Sequence, residues 1–125
     1  MHVYFAGIIV GIIVLQTAVI APTVFKNLDP ASAGKVIRSV FPKLFVMLAA
    51  LGAGELIVLV VNEGQLPSLI IAGISCVFPI VCRLMIPATN NAKDAGDSAS
   101  FKRLHQWSVL LTVAVLLANI ALPFL

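Results

Sequence analysis

Residues 44–82 read LFVMLAALGAGELIVLVVNEGQLPSLIIAGISCVFPIVC, two apolar runs on either side of the polar tetrapeptide Asn62–Gln65. A helix that crosses the hydrocarbon core of a bilayer needs roughly 20 mostly apolar residues. Both runs reach that length once their flanks are counted, and Gly64 and Pro67 punctuate the short turn between them. The stretch therefore predicts a helical hairpin threaded through a membrane. Working outward, two more runs qualify, so that the spans fall at about 3–25, 43–62, 67–87 and 102–124. Composition agrees. Of 125 residues, 61% are hydrophobic and 10% charged, where a water-soluble domain carries about 25% charged residues. The expected architecture is all-α, a single integral membrane domain built as a four-helix bundle. The first run starts at His2 without a positively charged leader, and is read as a retained helix rather than a signal peptide.

Charge orients the bundle. Lys26, Lys35, Arg38 and Lys43 flank the first connection, and Arg83, Lys93, Lys102 and Arg103 the third; the second holds only Glu63. Lys and Arg concentrate in cytoplasmic loops, which places both long connections in the cytoplasm and both termini on the opposite side. The brevity of the chain and its lack of organelle signals point to a bacterial inner membrane. No separate soluble module accompanies the basic excess, so nucleic acid is not an expected partner; the lipid bilayer is. In the first connection Asp29 can cap a helix with Pro30 at its first position. Ala33, Val36, Ile37, Val40 and Phe41 then recur at helical spacing opposite Lys35 and Arg38. That pattern predicts a short amphipathic helix lying in the interface, ended or kinked by Pro42. The third connection, ATNNAKDAGDSAS, is small and polar and is expected to be mobile, with Asp97 or Ser98 capping the fourth helix.

Glu55 is the one acid inside a span, and ionisable groups in lipid are costly and need partners within the bundle. At 1.5 Å per residue, Glu55 and Asn119 lie at similar depth, roughly 10 Å from the outer edge, with Ser75 a turn deeper. A second polar layer, roughly 20 Å in, joins Gln16 and Thr17 to Thr112. Glu55 reads either as a site for a metal ion, proton or organic cation, or as a neutral carboxyl bonded to Asn119 that joins two helices. Gly7 and Gly11, and Ala50 and Gly54, form small-xxx-small faces that let backbones approach closely, within the bundle or in a homodimer or larger membrane complex.

Catalytic signals are poor. No nucleophile–base–acid set, phosphate-binding glycine loop or paired carboxylates occur, and no motif identifies a cofactor. Cys76, Cys82, Met47 and Met85 offer soft donors without ligand spacing, and the cysteines, six residues apart, do not suggest a disulfide. His2 and His105 belong at opposite membrane faces, which argues against a shared haem.

The run Pro22-Thr-Val-Phe25 … Leu28 … Ala33-Gly34 … Phe41-Pro42 … Phe45, with Asp94–Val109 downstream, resembles the transmembrane protein 205-like family of small four-span proteins. Its most specific pieces are Phe41-Pro42 and Leu104-His105-x-x-Ser108. The resemblance implies a four-helix membrane bundle, gives weight to His105 and Ser108 at the cytoplasmic mouth, and implies distant kinship with copper-resistance D-type and HemJ-type membrane domains. The HemJ-like pattern is not met in full, because the first span lacks an internal histidine. Three functions are thus expected in descending order: a non-enzymatic accessory or interaction component, a metal, proton or organic-cation site at Glu55, and a tetrapyrrole or redox role.

Overall fold

Four helices follow one another with short links in the computed structural model, which describes residues 1–125. Helix α1 runs His2–Asn27, α2 Pro30–Val61, α3 Leu66–Asp94 and α4 Ser98–Phe124, the last ending in a single 3₁₀ turn. All four are long and apolar enough to cross a membrane, and there are no strands. The links are too short for anything but an up-and-down order, so neighbours run antiparallel. Packing is closest between α2 and α3, next between α3 and α4, while α1 lies more lightly against α2 and α4. Only 18 of 125 residues are buried, and the outward faces carry Ile57, Val60, Leu84, Leu110 and Leu117. Such a surface suits acyl chains rather than water.

The first link is two residues, Leu28 and Asp29. Asp29 caps α2 as expected, accepting from the Ser32 amide at 3.1 Å. Residues 30–41 do form a helix, but it is no separate element: α2 continues through Pro42 to Val61. The proline forfeits one backbone hydrogen bond, a loss that helices packed in a membrane bundle tolerate. At 32 residues α2 is about 48 Å long against a hydrocarbon core of about 30 Å. Its first turns run alongside the end of α3. Arg38 clamps them there through a bidentate bridge to Asp94, 2.6 and 3.1 Å. The third link is likewise shorter than expected. Helix α3 runs through Pro87 as far as Asp94, and Ala95–Asp97 make the turn, with Asp97 capping α4 by accepting from the Ser100 amide. Every basic residue consequently sits in the half of the bundle away from the α2–α3 turn.

Helix α1 contains a π turn, Gln16–Ile20, in which the Ala21 amide reaches back to the Gln16 carbonyl. Pro22 explains its place: the ring lacks an N–H and crowds the preceding turn, and a widened turn relieves that crowding. Past it, no residue of Ala21–Asn27 is buried.

The core draws on every helix, with Ile9 and Ile13 from α1, Phe45 and Leu48 from α2, Cys82 from α3 and Val115 from α4. Lipid offers apolar side chains as good a solvent as each other, so close packing rather than the hydrophobic effect must hold these helices. The tightest point is Gly52. A Cβ there would overlap the Ser75 carbonyl and the Cys76 amide on α3. Gly54 plays a lesser part, facing the Phe5 ring of α1, where an added Cβ would stand 2.7 Å from Cε1. Gly7, Gly11 and Ala50 face outward, and a Cβ on either glycine would meet open space. At the α2–α3 turn it is Glu63, with φ 54°, that adopts the left-handed conformation, while Gly64 donates to the Leu59 carbonyl at 2.7 Å.

Gly52→Ala is expected to lower stability by about 2–3 kcal/mol, because backbone rather than a flexible side chain occupies the space; Gly7→Ala and Gly11→Ala should stay within about 0.5 kcal/mol. Unfolding of the three variants in mixed micelles checks the contrast. In the same assay Glu63→Gly should gain about 1 kcal/mol by relieving the left-handed residue. Hydrogen bonds from Ser32 and Ser100 hold the Asp29 and Asp97 carboxyls below their ordinary value of 3.8. Both caps should hold in full above that pH and fail as pH falls through the lower folded values, which amide exchange at Ser32 and Ser100 would register.

Candidate functional site

Positions 48, 52, 55 and 59 share one face of α2, and that face is turned to the bundle interior. Glu55 is completely buried by this placement, with 0% exposure. Opposite it, α3 presents Ser68, Ala72, Ser75, Pro79 and Cys82 along its own buried stripe, and α4 presents Val115 and Asn119. Ser75 and Asn119 are also fully enclosed, at 0% and 1% exposure. The Asn119 amide donates to Ser75 Oγ at 2.7 Å and to the Val115 carbonyl at 2.8 Å. Ser75 therefore lies level with Asn119 rather than a turn deeper, and the bond joining α4 to its neighbour goes to α3. The expected bond from Asn119 to Glu55 is not formed.

An inventory of protons defines the chemistry. Three polar hydrogens belong to this cluster, one on Ser75 and two on Asn119. The Ser75 hydroxyl donates to the Ile71 carbonyl at 2.8 Å, and both amide hydrogens of Asn119 are in use. The amide orientation is settled by its partners, since its mirror placement would set Oδ1 against the Val115 carbonyl. Glu55 Oε1, Glu55 Oε2 and Asn119 Oδ1 are left with no donor. Ser75 stands beside the carboxyl, yet turning its single hydrogen toward Glu55 would still leave two oxygens bare. Buried oxygens without donors are costly, so the cluster is built to accept something that donates.

No charged side chain answers Glu55 from the helices around it. Level with it α1 supplies Phe5, against Gly54, and the buried Ala6. The titratable groups on nearby turns are the outward-facing Tyr4, the exposed α-amino group of Met1 and the half-buried His2 and Cys76, with Glu63 exposed at the α2–α3 turn.

The other polar residues divide. Gln16 is buried at the start of the π turn, and its Nε2 has no acceptor; eleven residues from Phe5, it is roughly 16 Å along the helix from the Glu55 level. Thr17 faces outward and donates to the Ile13 carbonyl. Thr112 donates to the Ser108 carbonyl at 2.8 Å, which also receives the Cys82 thiol at 3.7 Å. Thus Ser108 enters the bundle through its backbone. His105 is exposed and stacks on Phe101, ring centroids 5.8 Å apart. Cys76 and Cys82 are free thiols, and no three His, Cys, Asp or Glu side chains come together as a metal-binding group.

Gly52 escaped sequence reasoning, and so did the part played by Pro79, which the sequence places only at the depth of Thr112. Gly52 lies between Leu48 and Glu55 on the same stripe, a position that could have marked it as the crossing point. Pro79, four residues after Ser75, has no N–H to offer the Ser75 carbonyl, and that carbonyl is the group seated against Gly52. Its signal was the Ser75–Pro79 spacing itself.

No curated protein and no solved structure matches the chain. Residues 4–124, nearly the full length, match the family described as a domain of unknown function, DUF4149. The chain belongs to that family, as one of its small membrane proteins with four apolar helices.

Proposed function

We propose that this protein is a membrane component, not an enzyme, that holds an exchangeable proton at Glu55. The observation that carries the reading is the donor deficit, three enclosed oxygens on α2 and α4 with every neighbouring hydrogen already committed. One proton on Glu55 turns an acceptor into a donor, and a hydrogen bond from that O–H to Asn119 Oδ1 would satisfy two of the three oxygens at once. A metal ion suits the site less well. Calcium takes six to eight oxygens and magnesium an octahedron, whereas three are free and the α2 and α3 backbones are in contact at Gly52. An organic cation would need a hollow among residues that are at most 1% exposed.

The accessory or interaction role draws support from a different feature, the outward Gly7–Gly11 face of α1, where a second helix could approach closely. It is compatible with a proton at Glu55, and it extends the same reading to a homodimer or larger complex in a cell membrane with the basic end cytoplasmic. Copper handling or tetrapyrrole chemistry rests on motif resemblance alone and gains no support from His105 or from the separated thiols.

Infrared spectra of the protein in lipid test the proton. The carbonyl stretch of a protonated carboxyl should be present in the wild type, respond to bulk pH, and vanish in Glu55→Gln. Identical spectra for the two proteins would defeat the proposal.

A further inference from the structure

We infer that Glu55 exchanges its proton with the end of the bundle that carries the α2–α3 turn, through one side-chain layer formed by Leu59, Ala72 and Leu122. The inference rests on the reading of Glu55 as a proton site and adds the route and its gate.

Distances along the helices are lopsided. Glu55 precedes Asn62, the C-cap of α2, by seven residues, roughly 10 Å. In the other direction, 25 residues separate it from Pro30, roughly 38 Å. What fills the two intervals differs even more. Toward the basic half lies the whole core cluster, with Leu48, Phe45, Ile13 and Val115 among its members. Toward the turn, each of α2, α3 and α4 contributes one buried apolar residue beyond the site: Leu59 at 2%, Ala72 at 0% and Leu122 at 2% exposure.

Beyond that layer polar groups return. Ser68 is two turns from Ser75 on the same face of α3 and is itself buried at 8% exposure. Ser68, Ala72 and Ser75 thus alternate polar, small, polar along one stripe, so the α3 side of the layer is its thinnest part. Leu59 and Leu122 supply the bulk. Leu59 has little slack, since a Cβ on Gly64 would stand 2.7 Å from its Cδ2, and its carbonyl is held by the Gly64 amide. Rotation of the Leu59 and Leu122 side chains away from the axis would open the roughly 10 Å between Ser68 and the level of Glu55 to water entering from the turn. Opening of this kind is the sort of local excursion that helix ends undergo.

The test uses the full chain in lipid nanodiscs, with both faces in contact with bulk solvent. A water-soluble carbodiimide and an amine convert accessible carboxyls to amides, and mass spectrometry follows Glu55, with Glu55→Gln as the blank. Leu59→Ala and Leu122→Ala should each speed labelling of Glu55 by about tenfold, the effect of about 1.4 kcal/mol on an opening equilibrium. Leu48→Ala makes a comparable cavity seven residues from Glu55 on the opposite side, and should change the rate by less than about twofold if the deep core stays closed. Should Leu59→Ala fail to fold, Leu122→Ala decides. Equal acceleration by Leu48→Ala, or none by the outer variants, overturns the route. A titrating infrared band with labelling indifferent to Leu59 and Leu122 would sink the route and leave the proton site standing. Labelling that follows those leucines without a titrating band would sink the proton reading instead.

Discussion

Contact between two backbones governs this molecule. Where α2 crosses α3, Gly52 lies on the Ser75 carbonyl with no room for a Cβ, and Pro79 has left that carbonyl without its usual helical donor. A larger residue at 52 would hold the helices apart, and an ordinary residue at 79 would donate to the carbonyl along the helix axis. In lipid, where burying apolar surface yields little, such close approach is one of the few forces able to select a helix pair. It accounts for the tight α2–α3 hairpin and for the looser hold on α1.

The polar cluster depends on that crossing. Glu55 follows Gly52 by three residues and so faces the same way, and the crossing partner is the very residue whose hydroxyl receives Asn119. The helix contact and the donor-poor site are therefore one construction. Bringing α2 this near sets an acidic side chain among donors that are already spent. The molecule tolerates an arrangement that a core optimised for stability would avoid, which is itself a reason to look for function there.

Much of this was legible in the sequence because membrane helices advertise themselves by length and apolarity. The four runs, the hairpin at Asn62–Gln65 and the caps at Asp29 and Asp97 all follow from local rules. Helix ends were harder. Pro42 and Pro87 read as boundaries by rules that hold in water, yet α2 and α3 pass through both, because neighbouring helices make the loss of one hydrogen bond bearable. The inward direction of Glu55 followed from the cost of its charge, whereas its partner did not. Depth alone cannot tell Asn119 bonding to Ser75 from Asn119 bonding to Glu55, since both lie within one turn. Small-residue pairs left a choice open for a related reason. Gly7–Gly11 and Gly52 look alike as letters, and only the crossing geometry separates an outward glycine from one that carries the fold.

The π turn in α1 leaves its own mark on the shape of the protein. One additional residue in a turn rotates everything after it by about 100° relative to an unbroken helix, so the stripe of Ala6, Ile9, Ile13 and Gln16 that points into the bundle has no continuation past Ile20. Ala21–Asn27 bury nothing. In cross-section the protein is a quartet near Glu55 and close to a trio by the level of Lys26, a taper imposed by a single proline and the turn it distorts.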